Sequence, residues 1–331
     1  MATRWGIAGA GLISHDFATA LGTLSSSEHR VIGVAARDLG RAKKFADLHK
    51  IEKAYGSYLE LSQDKNIEIV YIGTLNPSHL EIGKMMLNAG KHVLCEKPLT
   101  LNLKQTSELI SLAKSKGLFL MEAVWSRCFP TYIEVKKELD SGCIGNVKQV
   151  ICSFGFPLTN IERLNAKTMG GGTILDLGVY TLQLVNFVFN GEKPEIIKAV
   201  GHLNNDGVDV TMSATLKYSG NRNATILTNS EVMLPNEALI IGTMGSIKIP
   251  NFWCPTKIEL PQRVIEIKLP KGGHKFNFKN SAGLSFEANE CRNCLLKGLK
   301  ESPRVSHADS LLLAELEDEL RKQLGVSYEE D

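Results

Sequence analysis

Near its start the chain reads Trp5-Gly6-Ile7-Ala8-Gly9-Ala10-Gly11-Leu12-Ile13-Ser14, an apolar run broken by a glycine turn and resumed with helical periodicity. No other feature restricts the fold as much. A strand over residues 4–8 that turns on glycine into a helix over 12–24 begins a unit in which parallel strands are joined by crossover helices. Gly9 permits the tight turn. Gly11 lets the backbone approach a pyrophosphate, which then rests on the helix N-terminus. Ser14 stands where a third glycine is usual, and it is small enough for close packing of helix on strand.

The alternation continues. Strands are expected over 30–36, 69–73, 91–95 and 118–122, and helices over 40–50, 78–89 and 103–115. This implies an α/β fold, a Rossmann-type domain over 1–124 with ligands beyond the carboxyl ends of its strands. After Trp125 the pattern changes. A helix over 131–141, a strand over 147–156 and a glycine turn at Gly170-Gly171-Gly172 lead into a helical stretch over 173–189. Strand-like runs follow over 195–202, 208–218, 223–231, 237–242, 246–250, 257–260 and 264–268. Helices over 285–299 and 307–324 close the chain. Residues 125–331 thus read as an α+β domain with an open, mostly antiparallel sheet. Its last helix is expected to return to the first domain. The run 208–216 has apolar residues on both faces, which suggests pairing of two sheets in a homodimer.

Composition removes several function classes. The net charge is +2 and no Lys/Arg block occurs, so a nucleic-acid partner has no electrostatic footprint. No apolar run is long enough for a membrane span. The first residues lack the plan of a signal peptide, and the seven cysteines are scattered and odd in number. Both point to reduced thiols and a cytoplasmic location. Cys291 and Cys294 form a CxxC with no second pair and read as small apolar residues on a helix. No His/Cys/Asp cluster has metal-ligand spacing, so no metal is expected.

Arg37 ends the second predicted strand and Arg41 follows one helical turn later. Two guanidinium groups there suit the 2′-phosphate of NADP. Asp38 competes as a ribose ligand or serves as a helix cap. Lys97 falls at the ligand edge of the sheet, after a buried strand. Asp176 and Tyr180 are four apart and share a helical face. A tyrosine beside a lysine ammonium suits proton exchange with an alcohol.

At these residues the chain resembles the glucose-fructose oxidoreductase and inositol dehydrogenase family. The match is carried by GAGLIS at residues 9–14, Glu96-Lys97-Pro98, Thr74-Leu75-Asn76-Pro77-Ser78-His79, and Gly170 through Tyr180. Residues 35–38, 120–127, 253–256 and 300–303 resemble its dimeric dihydrodiol dehydrogenase branch. The resemblance implies an NADP-dependent oxidoreductase acting on trans-dihydrodiols and D-xylose. It implies Lys97 and Tyr180 as catalytic residues and Asp176 as a group placing the substrate hydroxyl. Gly9, Gly11, Leu12, Ile13, Arg37, Arg41, Tyr71, Thr74, Asn76, His79, Glu96 and Lys97 form the implied cofactor set. Trp125, Arg127, Phe154, Asp176 and Phe278 border the substrate. Another sugar or inositol dehydrogenase of the same family, and a non-catalytic NADP-binding sensor, stay open.

Overall fold

The computed structural model describes residues 1–331 and divides them into two compact units. The first contains β1 (Thr3–Ala8), α1 (Leu12–Leu21), β2 (His29–Ala35), α2 (Leu39–His49), β3 (Lys53–Tyr55), α3 (Tyr58–Gln63), β4 (Ile69–Ile72), α4 (His79–Asn88), β5 (His92–Glu96), α5 (Leu103–Lys116) and β6 (Leu120–Ala123). The six strands form one sheet in the order β3-β2-β1-β4-β5-β6, parallel throughout. Every residue of β4 is buried, as expected of a parallel strand covered on both faces. Trp5 of β1 meets Phe17 of α1 edge-on at 5.3 Å, and Phe17 stacks on Tyr71 of β4 at 3.9 Å. All three rings are fully buried.

In the second unit, α6 (Pro130–Asp140) precedes β7 (Val147–Gly155) and the single turn α7 (Glu162–Asn165). A π-helical turn over Ile174–Gly178 then runs into α8 (Val179–Val188). The remaining strands are β8 (Ile196–Leu203), β9 (Asp209–Tyr218), β10 (Arg222–Asn229), β11 (Glu237–Gly242), β12 (Gly245–Pro250), β13 (Lys257–Glu259) and β14 (Val264–Glu266). They join β7 in an eight-stranded sheet of order β14-β13-β12-β11-β7-β10-β9-β8. Only the β7–β10 pair is parallel. On one face Val150, Cys152, Met212, Ala214, Leu216, Ala224, Ile226, Ala238 and Ile240 are buried. The open face of β9 differs from expectation, because its apolar residues Met212, Ala214 and Leu216 are the buried ones of an alternating run. Ser213, Thr215 and Lys217 face outward instead. Apolar residues on the open face come from other strands: Ile151 of β7, Leu227 of β10, Leu239 of β11 and Val200 of β8, brought together by register.

The boundary between units is not a single cut after residue 124. The chain completes the second unit's sheet, then gives Leu269–His307 to the first unit, including α9 (Leu284–Leu296). There α9 packs on α1 and buries Leu284, Ala288, Cys291 and Cys294. Neither cysteine is in a disulfide. The closing helix α10 (His307–Leu324), expected to return to the first domain, belongs almost wholly to the second unit. Its Gln323 accepts from Ala199 N at 2.8 Å and donates to Ile197 O at 3.0 Å, which ties the helix to β8. No helix is long and apolar enough to cross a membrane.

Candidate active site

The β1–α1 junction is built to leave its backbone bare. Gly9 has φ +106°, and a Cβ there would come within 2.5 Å of Gly73 O, so only glycine fits. Gly11 is the N-cap of α1, with no side chain capping the first turn and no acidic residue in it. A Cβ on Gly11 would meet only Gly73 O, at 4.0 Å, so the space before the helix is open. Leu12 is exposed and Ile13 half-buried at the same turn. In the loop after β4, the Thr74 hydroxyl oxygen is buried without a hydrogen-bond partner. Unpaired helix amides and an orphaned hydroxyl at the carboxyl edge of a parallel sheet are what a dinucleotide phosphate and its neighbouring groups would satisfy. The residues present therefore fit a nicotinamide dinucleotide.

Arg37 and Arg41 are both exposed after β2. Asp38 is the N-cap of α2, its Oδ1 accepting from Arg41 N at 2.7 Å. Capping thus occupies the acid that would compete for a ribose. Both guanidinium groups act on the Tyr58 phenol, whose ionisation burial pushes up and the two arginines oppose. Tyr58, at the start of α3, was not among the residues expected here.

At the end of β5 the carboxylate of Glu96 accepts from Tyr71 Oη at 2.5 Å and from the backbone N–H of Lys97 at 3.2 Å. Tyr71 is fully buried, so its hydroxyl serves Glu96. Lys97 is half-buried immediately beyond. Behind Glu96 lies Glu287 of α9, fully buried with neither carboxyl oxygen hydrogen-bonded. Burial first and the Glu96 charge second push its ionisation far above the ordinary carboxylate range. Of the pair, Glu96 has the donors and holds the charge, while Glu287 is a neutral acid. His79 is fully buried, with Nδ1 2.9 Å from Pro98 O and Nε2 3.3 Å from Thr74 O. Burial lowers its pKa, so the ring is neutral and has one N–H, which the shorter approach can take. That bond fastens the start of α4 to the segment following Lys97. Asn76, half-buried, begins the short 3₁₀ turn before α4.

In the second unit Asp176 lies on the π turn and is buried, accepting from Arg163 Nη1 at 3.0 Å. Such turns are frequent at functional positions. Tyr180 is the second residue of α8 and is 8% exposed. Its ring stands edge-on to Phe154 at 5.6 Å, and Phe154 lies at 4.5 Å from Trp253 and 5.5 Å from Phe156. Phe156 and Trp253 in this cluster were not among the aromatic residues expected, which were Trp125, Phe154 and Phe278. Arg127 is also buried, but its guanidinium donates to Gln183 Oε1 and Gln183 O, both at 2.9 Å, and pairs with Asp309 at 3.5 Å. It stiffens α8 one turn beyond Tyr180. Trp125 and Phe278 both lie in the first unit, the former buried and the latter 45% exposed.

A doubly wound sheet with a bare glycine turn, joined to a second open-sheet unit, defines a nicotinamide-dinucleotide-dependent oxidoreductase. The chain belongs to the GFO/IDH/MocA oxidoreductase family. Residues 3–124 match its "Oxidoreductase family, NAD-binding Rossmann fold" model and residues 132–248 its C-terminal domain. It is 50% identical to the trans-1,2-dihydrobenzene-1,2-diol dehydrogenase of Danio rerio, over 100% of this chain and 99% of that one. Identity to the Mus musculus protein of the same name is 45%, with the same coverage. Among solved structures it resembles a 3-ketoreductase from Actinomadura kijaniata in complex with NADP and TDP-benzene. The TM-score is 0.82 and the identity 26%, over 99% of both chains.

Proposed function

We propose that the chain oxidises trans-dihydrodiols, and D-xylose less tightly, with NADP as hydride acceptor. The observation that carries this reading is the end-to-end 50% identity to a relative named for trans-1,2-dihydrobenzene-1,2-diol. When bound, NADP supplies the acceptor for the hydride. Gly9, Gly11 and the first amides of α1 receive its pyrophosphate, and Arg37 and Arg41 its 2′-phosphate. Thr74, Asn76, His79 and Glu96 serve the nicotinamide side.

Tyr180, as its phenolate, takes the proton from the reacting hydroxyl, and Lys97 favours that phenolate and orients the hydroxyl. In the reverse direction Tyr180 returns the proton. Asp176, braced by Arg163, places the second hydroxyl. Trp125, Phe154 and Phe278 supply apolar surface for a carbocycle or the apolar face of a sugar ring. Arg127 acts from behind, through Gln183. The seven cysteines, none in a disulfide, suit a reducing, cytoplasmic setting, and Ile151, Leu227 and Leu239 on the open face support a homodimer.

The test is a panel of trans-dihydrodiols, D-xylose, other aldoses and inositol with NADP and with NAD, following reduced nicotinamide. Turnover of the dihydrodiol with NADP at an efficiency at least about tenfold above NAD is expected from two charge-assisted phosphate contacts. Arg37→Ala should narrow that gap. Efficient turnover of inositol or another sugar alone would move the substrate within the family. NADP binding with no turnover of any compound would leave a sensor.

A further inference from the structure

We infer that Asp16, on the helix that receives the dinucleotide phosphates, is a specificity-determining positioning residue that holds the 271–279 segment and thereby Phe278. The inference rests on the assignment of Phe278 to the substrate wall made above. The segment has no helix or strand of its own, and it runs back along α1 within the first unit. Gly272 lies so close to Thr19 that a Cβ would come within 2.6 Å of Thr19 Cγ2. The His274 ring is 5.9 Å from that of His15 and 5.1 Å from that of His49. His15 Nε2 is 3.1 Å from Lys275 O.

The main clasp comes next. Asn277 N donates to both Asp16 oxygens, at 2.8 and 3.1 Å, and Asn277 Nδ2 donates to Oδ1 at 2.9 Å. Phe278 N donates to Oδ2 at 2.9 Å. Asn277 Nδ2 also reaches Leu12 O, at 3.3 Å, in the first turn of α1.

Asp16 is fully buried, whereas Asn277 and Phe278 are exposed. A buried carboxylate is tolerated only when donors surround it, and here the donors come from the segment itself. Charge-assisted bonds of this kind are about twice as strong as neutral ones. They offset the entropy of fixing an irregular, solvated stretch that has little core of its own. Because one donor is the N–H of Phe278, the carboxylate fixes the aromatic residue's own backbone. Loss of the clasp frees Phe278 while leaving the glycine turn and α1 intact. The effect belongs in substrate affinity rather than in the chemical step or in cofactor binding.

The experiment uses the full chain with Asp16→Asn, Phe278→Ala and their combination. Asp16→Asn turns one acceptor into an NH₂ group facing the segment's donors. Amide exchange at Asn277 and Phe278 should accelerate. KM for the trans-dihydrodiol should rise about tenfold, with kcat and NADP affinity within about twofold. Phe278→Ala should raise KM similarly, and the combined variant should be no worse than Phe278→Ala alone. If Asp16→Asn does not fold, Asn277→Ala removes the side-chain part of the clasp from the exposed side and should raise KM in the same direction. Unchanged KM with accelerated exchange, or two full and additive KM effects, would overturn the inference. Unchanged KM in Phe278→Ala would remove the substrate-wall assignment instead, a failure that the exchange rates in Asp16→Asn tell apart from loss of the clasp.

Discussion

At the scale of single residues, the proposed chemistry rests on Lys97, Asp176 and Tyr180, and Arg163 donates to Asp176 at 3.0 Å. Lys97, Asp176 and Tyr180 stand out because a strand end and a glycine-opened helix announce them. Arg163, bonded to Asp176, carries no such mark, since a surface-helix arginine looks the same in sequence. Tyr180→Phe keeps the edge-on contact with Phe154 and removes only the hydroxyl. Its turnover should fall roughly 10²–10⁴-fold while NADP still binds, as read by single-turnover kinetics and fluorescence titration. Near wild-type turnover would take Tyr180 out of the role. Glu287 gives a second prediction, and its partner Glu96 lies 191 residues away in the sequence. Its folded-state pKa is raised, so the folded protein keeps a proton that the unfolded chain releases above its ordinary value of 4.5. Stability from this group is complete below that value and is lost as pH rises towards the folded value, at about 1.4 kcal/mol per pH unit. Glu287→Gln keeps the neutral shape, so its advantage in thermal melting should widen between about pH 5 and pH 8. A gap that stays constant would mean that Glu287 is ionised in the fold.

At the scale of elements, long periodic segments were legible and short or irregular ones were not. The strands around the dinucleotide turn and the helices α5 and α10 lie within a residue or two of expectation, because burial on both faces or on one stripe leaves a strong pattern. β3 has three residues and α3 six, too few for a period to register. The stretch over 173–189 has one periodic signature, but Ile174–Gly178 near its start form a π turn. What holds that turn is Asp209 of β9, again distant in sequence. Its Oδ2 accepts from Thr173 Oγ1 at 2.6 Å and from Ile174 N at 2.8 Å, and the Thr173 hydroxyl also meets Thr228 Oγ1 at 2.7 Å. Gly172, at φ +112°, leaves room for the carboxylate where a Cβ would collide with Oδ1. Asp209→Ala leaves a buried hydroxyl and a helix-start amide short of an acceptor, which costs about 1–3 kcal/mol each when unrelieved. Urea unfolding should show a loss of roughly 2–4 kcal/mol, the lower end applying because Thr228 keeps one bond. A loss under about 0.5 kcal/mol would show that the turn does not depend on this cap.

At the scale of the whole molecule, the open sheet face decides the assembly proposed for it. The expectation of a pairing surface came from a run on β9, yet that strand shows Ser213, Thr215 and Lys217 outward. Strand register supplies the apolar residues from elsewhere. Ile151 lies opposite Leu239 on one side and Thr225 on the other, while Leu227 lies between Ser153 and Ser213, with Val200 next in the same row. Ile151 is 37% exposed and Val200 74% exposed, in a sheet whose other face is a closed core. Apolar side chains alternating with Ser and Thr across several strands give a flat surface that a second copy can match about a twofold axis. A charge at its centre would have to be buried against its own image, which two-fold symmetry makes a like-charge contact. Ile151→Glu should therefore convert a species of about twice 36.3 kDa into one of 36.3 kDa in sedimentation at micromolar concentration. Far-ultraviolet circular dichroism should stay unchanged, because the side chain points away from the sheet's own core. A variant that still sediments at the doubled mass would move the interface off this face, and a wild-type chain that sediments at 36.3 kDa would remove the dimer altogether.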